Sequence, residues 1–170
     1  MICKKKTIKY LVIICLIFTQ SCGIYSFSGA SIPKDAKTIS VKYILNKAAL
    51  VEPNLSNTLT ENLTNKCLTE TSLNLVEGDA DIIFRGKITD YKVQPISIQN
   101  NETAAQNRLI ITVEIDYINK LDENKNFKKK FSDFSDFNSS ENFSNIEIDL
   151  NEIIINNLVD DIFNYSFSSW

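Results

Sequence analysis

The sequence lacks several residues on which enzymes and small secreted domains commonly depend. Histidine is absent from all 170 residues, which removes the commonest general base and metal ligand. Glycine occurs only four times, too rarely for a phosphate-cradling loop, and no CxxC, HExxH, GxSxG or P-loop motif occurs. We therefore expect no catalytic residue, no metal site and no cofactor.

The first 21 residues have the pattern of a secretory signal peptide. Their basic segment contains Lys4, Lys5, Lys6 and Lys9. The uncharged run Tyr10–Thr19 that follows is much shorter than the stretch of about 20 residues that a transmembrane helix needs. Ser21-Cys22 then resembles a lipobox, where cleavage precedes a cysteine that carries acyl chains. We predict a signal peptide over 1–21, lipidation of Cys22 and a single domain over 22–170. An ordinary secreted protein or an uncleaved anchor is the alternative interpretation.

Removal of the signal peptide changes both the charge and the cysteine content. Without its four lysines, 14 basic residues face 21 acidic ones, a formal charge of −7. A domain this acidic does not attract nucleic acid through its net charge, so an anionic ligand must meet a local basic patch. Cys67 is then the only cysteine besides Cys22, which excludes an internal disulfide, and its spacing from Leu63 predicts a buried position.

The hydrophobic patterns predict an α+β fold. Helices are expected over 53–71 and 146–167, and strands over 24–28, 37–45, 81–93, 108–121 and 127–137. The order β-β-α-β-β-β-α indicates two helices packed on one face of a mixed, mainly antiparallel sheet. The last three strands form a meander with one buried and one solvated face. Ser144 and Glu147 match a capping box at the start of the second helix.

Alternation assigns individual side chains to these faces. Tyr43 shares the buried face of its strand with Ile39, and Ile111 lies on the buried face of the central meander strand. Gly86 falls on the apolar side of its strand, which indicates a bulge or a close backbone approach. Ile153 belongs to the apolar stripe of the second helix.

The solvated face of the meander gathers the candidate binding residues. They are Arg85, Lys87, Arg108, Lys128, Lys129 and Lys130. Arginine can bind a phosphate bidentately and lysine can bind it as a point charge, so this cluster is suited to phosphate groups. The alternative interpretation is an edge strand that its lysines protect from aggregation. Glu114 and Asp116 share the face, and a carboxylate pair of the glycosidase kind is sterically allowed there, although solvated strand residues explain them more simply.

Four segments of the mature chain carry a family resemblance. They are Cys22–Ile32, Thr103–Val113, Phe131–Phe137 and Asp161–Trp170. In this order they resemble the mature start, the central strand entry, the aromatic third meander strand and the C-terminal helix end of the lipopolysaccharide-assembly lipoprotein family. The resemblance spans essentially the whole mature chain.

This resemblance implies a non-enzymatic two-helix sandwich that plugs the lumen of an LptD-like β-barrel translocon and binds lipopolysaccharide. The lipopolysaccharide-contacting residues of the family are basic and lie on strands, a description that Arg85, Lys87, Arg108 and Lys128–Lys130 match here. Gly23 provides no acidic retention signal after Cys22, so we expect a lipid anchor at the periplasmic face of the outer membrane. The alternatives are an auxiliary lipoprotein of a lipid-exporting ABC transport system and, third, a carboxylate hydrolase.

Overall fold

The computed structural model describes residues 35–50, 52–96 and 105–167. The signal peptide, Cys22, the strand expected over 24–28 and the last three residues lie outside these ranges. Among the helices of the described ranges, none is both long and apolar enough to cross a membrane.

Two helices and a set of short and long strands follow one another along the described chain. Their bounds are β1 Thr38–Val41, β2 Leu45–Asn46, α1 Leu55–Glu70, β3 Asn74–Leu75, β4 Ile82–Ile96, β5 Gln106–Asn119, β6 Phe127–Asn138 and α2 Phe143–Phe167. A short 3-10 helix, Glu123–Lys125, turns the chain between β5 and β6. Both predicted helices and the three predicted meander strands are confirmed with shifted ends, whereas β3 was not predicted.

The strands form one six-stranded mixed sheet in the order β3-β1-β4-β5-β6. β1 runs parallel to both β3 and β4, and β2 pairs in parallel with a later part of β4. The long pairs β4–β5 and β5–β6 are both antiparallel and make up the meander. The predicted α+β fold with a mixed, mainly antiparallel sheet is therefore confirmed.

The hydrophobic core lies between the two helices and one face of this sheet. The predicted stripe of α1 is buried: Leu55, Leu59, Leu63 and Cys67. Every second residue of β5 from Leu109 to Tyr117 joins the same core. The helices also contact each other, since Asn62 Nδ2 donates a hydrogen bond to Asn156 Oδ1 at 3.1 Å. Burial raises the pKa of the Cys67 thiol to about 12, so the thiol is protonated and packs as a small apolar group.

Gly86 marks a close backbone approach, as its place on the apolar side of β4 predicted. A Cβ atom at this position would lie 2.8 Å from Ile115 Cδ1 and 2.9 Å from the carbonyl oxygen of Glu114. The space that the missing side chain leaves is lined by Ile115 and Ile44. The bulge of β4 occurs further along, between Ile88 and Asp90.

The strand predicted over 37–45 is wrong in its second half. β1 ends at Val41, and pairing resumes only at Leu45, opposite Lys87. The intervening bend turns Ile44 into the core, fully buried, and leaves Tyr43 52% exposed. Simple alternation cannot predict this reversal, because it assumes an uninterrupted strand.

The capping box predicted for α2 is also wrong. The helix begins at Phe143, so Ser144 lies inside it, and the side chain of Asn142 accepts the hydrogen bond from the Ser144 backbone N–H at 3.1 Å. Glu147 instead accepts a hydrogen bond from the Tyr91 hydroxyl on β4 at 2.6 Å. The buried stripe is rotated accordingly, since Ile155 is buried and Ile153 is 51% exposed.

Candidate functional site

The face of the meander that points away from the helices, here called the outer face, brings part of the predicted basic cluster together. The strand register places Arg85 of β4, Asp116 of β5 and Lys128 of β6 in one row across the sheet. The next row contains Lys87, Glu114 and Lys130 in the same order. We call the four cations Arg85, Lys87, Lys128 and Lys130 the outer basic patch. These four cations surround the carboxylates of Asp116 and Glu114, so the arrangement has an excess of two positive charges.

Glu114 is the central anion of this arrangement. Its Oε1 atom lies 3.2 Å from Lys87 Nζ and 3.3 Å from Lys128 Nζ. Hydrogen bonds from these two ammonium groups lower the pKa of Glu114. Glu114 therefore ties the three strands together by charge on the outer face. Arg85 and Lys130 take part in no ion pair among the described residues, which leaves their charges available to a ligand.

Lys129 does not belong to the outer basic patch. It opposes Ile115 in the register and therefore points to the helix side of β6. Its ammonium group lies 3.5 Å from the ring centre of Tyr165 on α2 and 5.2 Å from that of Phe131. The predicted cluster of three consecutive lysines is thus corrected: side chains alternate along a strand, so Lys128 and Lys130 share a face that Lys129 leaves.

Arg108 is on the outer face but far from the other cations. It lies six positions from Glu114 on β5, or about 20 Å at about 3.4 Å per residue. Its guanidinium group binds Asp136 through two hydrogen bonds of 2.6 and 2.8 Å and stacks 3.6 Å from the ring centre of Phe134. The pair raises the pKa of Arg108 and lowers that of Asp136. The charge of Arg108 is therefore compensated within the sheet.

The carboxylate pair Glu114 and Asp116 is placed as the sequence predicted, on one face of β5. A glycoside hydrolase needs one carboxyl group with a raised pKa as its acid. The pKa of Glu114 is lowered, so Glu114 does not suit the role of that acid. The described residues also include no group of three His, Cys, Asp or Glu side chains placed to hold a metal ion.

A cleft between the start of α1 and the first half of α2 was not predicted by the sequence analysis. Asn151, Glu52 and Glu152 line it together with apolar side chains. Asn151 follows Leu150 on the buried side of α2 and is itself only 7% exposed. A polar residue in the buried phase of an amphipathic helix was the signal that could have identified it.

The architecture defines the class of small α+β sandwiches found in several bacterial proteins of known structure. A Xanthomonas campestris protein of the DUF330 family superposes with a TM-score of 0.53 at 6% identity, over 79% of this chain and 86% of that protein. A neuraminyllactose-binding hemagglutinin homologue from Helicobacter pylori superposes with a TM-score of 0.52 at 10% identity, over 82% of this chain and 90% of that protein. A hypothetical protein from Chlamydia trachomatis superposes with a TM-score of 0.51 at 10% identity, over 77% of this chain and 98% of that protein. These likenesses show the fold.

Within this class, the profile of the lipopolysaccharide-assembly family, LptE, matches residues 36–166. The match covers most of the chain, and the protein belongs to this family. This family acts in lipopolysaccharide assembly, as the resemblance implied. No curated protein sequence matches the chain.

Proposed function

We propose that this protein is an outer-membrane lipoprotein that binds and plugs an LptD-like β-barrel translocon and assists the insertion of lipopolysaccharide. Acyl chains on Cys22 hold it at the periplasmic face after the signal peptide 1–21 is removed. The observation that carries the proposal is the family match over residues 36–166. The protein acts as a non-enzymatic assembly factor, in keeping with that family.

The outer basic patch gives this proposal a contact surface for lipopolysaccharide. Lipopolysaccharide presents phosphate groups, and phosphate binds arginine in a fork and lysine as a point charge. All four cations of the patch are exposed. Because the mature chain is acidic overall, attraction must come from this local excess of positive charge and not from the net charge. Arg108 and Lys129 contribute less, since Asp136 and the Tyr165 ring engage them.

The partner and the anchor are tested together by affinity purification from solubilised outer membranes. We expect a large β-barrel protein to purify with the full chain, and we expect mass spectrometry to find acyl chains on Cys22. Two or more chains anchor a protein stably, whereas one binds only marginally. Recovery of an inner-membrane transporter in place of a barrel would favour an auxiliary role in lipid export, and an unmodified Cys22 would contradict the lipid anchor.

The contact surface is tested with two variants, each of which reverses three positive charges at a different place on the chain. One variant combines Arg85→Glu, Lys87→Glu and Lys130→Glu. The matched control combines Lys37→Glu, Lys47→Glu and Lys125→Glu, three exposed lysines elsewhere on the chain. Both variants change the net charge equally, so a difference between them reports location.

Binding of purified lipopolysaccharide by the two variants is measured at low and high salt. We expect the outer-face variant to bind much more weakly than the control, and we expect the wild-type affinity to fall with salt, because exposed charge contacts are screened. Equal weakening by both variants would remove the outer basic patch from the proposal and leave the lysines as protection of an edge strand.

A further inference from the structure

The outer edge of β6 is open to a further strand. β6 is the last strand in the sheet order and pairs with β5 alone among the described residues. Its 12 residues contain no proline, and their pairing with β5 has no bulge. An edge of this kind presents backbone N–H and C=O groups that another strand can bind. β3, at the opposite end of the order, has only 2 residues, so β6 is the edge at which the sheet can be extended.

The register identifies the residues whose backbone groups point outward from this edge. In an antiparallel pair, residues that exchange both backbone hydrogen bonds alternate with residues that exchange none. The Ser139 N–H donates to the Ala105 carbonyl oxygen at 3.0 Å, one position beyond the pair of Gln106 with Asn138. The odd-numbered residues of β6 therefore bond β5, and the even-numbered ones turn their backbone groups away from it. Between positions 128 and 136 these outward residues are Lys128, Lys130, Ser132, Phe134 and Asp136.

The charges of β6 are arranged so that an antiparallel copy of the same strand is their complement. The three lysines 128–130 lie in the first half of the strand, and Asp133 and Asp136 lie in the second half. A parallel copy in register would place lysine beside lysine. An antiparallel copy centred on Ser132 places Lys128 opposite Asp136 at both ends, because the arrangement is two-fold symmetric. No like charges stand opposite each other in this register.

The alternation of charge continues into the sheets of both copies. In one copy, Arg108 already binds Asp136 at 2.6 Å. In the other copy, Lys128 opposes Asp116, and Asp116 opposes Arg85. The signs therefore alternate along one row from Arg108 of the first copy to Arg85 of the second. Protection of an edge by lysines alone requires no aspartate at the matching position.

An exposed apolar side chain of α2 lies beside the same edge. Asn156 faces α1, where it accepts a hydrogen bond from Asn62, whereas Asn157 Nδ2 donates to Asp133 Oδ2 on β6 at 2.9 Å. Ile153 precedes Asn157 by one turn and therefore lies on the β6 side of the helix. It is 51% exposed. A partner at the β6 edge thus lies next to an isoleucine that the rest of the described chain leaves uncovered.

We propose that this protein forms a two-fold symmetric homodimer in which the β6 strands of two copies pair in antiparallel orientation about Ser132. The outward residues exchange backbone hydrogen bonds with their counterparts, and the two sheets become one. Lys128, which already contacts Glu114, gains Asp136 of the second copy as a neighbour. Both helix layers lie on one face of the extended sheet, so the second copy lies beside Ile153. The dimer is a state of the chain that is not bound to a barrel, and it goes beyond the proposed function.

Disulfide trapping in the purified full chain tests this register. Ser132 lies on the two-fold axis, and opposed residues that exchange backbone hydrogen bonds have Cα atoms about 5.5 Å apart, a separation that a disulfide spans. Ser132→Cys should therefore give a covalent dimer when oxidised with diamide, resolved by nonreducing electrophoresis. Ser139→Cys, exposed just beyond β6, is the control, because its two copies are about 40 Å apart at about 3.4 Å per residue. Cys67 is buried and does not interfere. We expect at least about tenfold more dimer from Ser132→Cys than from the control.

A pair of charge variants tests the orientation of the two strands. In the Ser132→Cys background, Lys128→Glu places a carboxylate opposite Asp136 of the second copy and should lower the yield of dimer about fivefold. Lys125→Glu, exposed and outside β6, changes the net charge equally and should leave the yield unchanged.

Three outcomes would overturn the proposal. Ser132→Cys could stay monomeric while a maleimide labels its thiol, Ser139→Cys could form as much dimer, or the two lysine variants could lower the yield equally. The experiment contains neither lipopolysaccharide nor a barrel, so its result is independent of the proposed function.

Discussion

The two faces of the meander are built from the same strands but are held together by different interactions. On the helix side, the rings of Phe84 and Tyr117 meet edge to face with centres 5.1 Å apart, and Tyr117 stacks on Phe127 at the same distance. On the outer face, neighbouring strands are joined by ion pairs and by the exposed hydrogen bond between Thr112 and Ser132. Burial of apolar area contributes far more free energy than exposed ion pairs, so the helix side carries the stability.

This division leaves the outer face free to serve a ligand. Exposed substitutions away from caps and buried networks usually change stability by no more than about 0.5 kcal/mol. A surface that contributes little to folding can therefore hold an uneven charge distribution such as the outer basic patch. The comparison predicts that substitutions on the helix side impair folding, whereas substitutions on the outer face impair binding.

The largest difference in stability between substitutions on the two faces is expected at two neighbouring residues of β5. Ile111 is fully buried against the helices, whereas Thr112 points to the outer face. Ile111→Ala should lower the free energy of unfolding by about 2–5 kcal/mol, because it removes buried methyl groups and leaves a cavity. Thr112→Ala, which loses only the exposed contact with Ser132, should cost less than about 1 kcal/mol. Urea denaturation measures both, and similar losses would contradict the assignment of faces.

A second, smaller difference in stability between substitutions on the two faces is expected on β4. A methyl group at Gly86 would meet the backbone oxygen of Glu114 at 2.9 Å, and backbone atoms cannot move aside as a side-chain end can. Gly86→Ala should therefore destabilise the fold by about 1–3 kcal/mol. Lys87→Ala, one residue further and on the outer face, provides the control and should change stability little. An unaffected Gly86→Ala protein would show that the two strands can separate locally.

These two faces were largely predictable from the sequence, and the exceptions have physical causes. Alternation over β5 assigned Ile111 and Glu114 correctly, because a long uninterrupted strand has a strict period of two. It failed at Tyr43, where the chain bends between β1 and β2 so that Ile44 can enter the core. It was not applied within the lysine run of β6, where it would have separated Lys129 from Lys128 and Lys130.

The candidate site was less predictable than the fold. The association of Arg85 with Lys128 depends on the register of three strands, which a single sequence does not specify. The pairing of Arg108 with Asp136 likewise requires knowledge of which residues oppose each other. The cleft at Asn151 arises from two helices far apart in the sequence. Sequence patterns thus identified residue types and faces, while tertiary pairing determined which charges remain available.

A third test uses pH to weaken the ion pairs that Glu114 makes on the outer face. The pKa of Glu114 is lower in the folded protein than in the unfolded chain, so its contribution to stability is present above about pH 4.3 and is lost as the pH falls through the folded value. Wild type should therefore exceed Glu114→Gln in stability at neutral pH, and the difference should shrink at about pH 3. Glu77→Gln removes the same charge at an exposed position outside the outer basic patch and serves as the control. Urea denaturation at both pH values measures the difference, and a constant difference would contradict the ion-pair explanation.

The smallest and sharpest test concerns two adjacent lysines of β6 that point to opposite faces. Lys129 lies over the Tyr165 ring, and Lys130 opposes Glu114 on the outer face. Lys129→Gln should lower the free energy of unfolding by about 0.5–1 kcal/mol, the value of an exposed cation–π contact, and should leave lipopolysaccharide binding unchanged. Lys130→Gln should leave stability unchanged and weaken binding about two- to threefold, an effect that high salt reduces.

Both lysine variants lose one positive charge, so any shared effect of net charge cancels between them. Urea denaturation reports the folding defect and titration with purified lipopolysaccharide reports the binding defect. If Lys129→Gln weakened binding as much as Lys130→Gln, lipopolysaccharide would have to contact the edge of β6 from both sides, and the outer face could not be the whole contact surface. If neither variant changed binding, the exposed charge at Lys130 would serve to keep the edge strand from pairing with other chains.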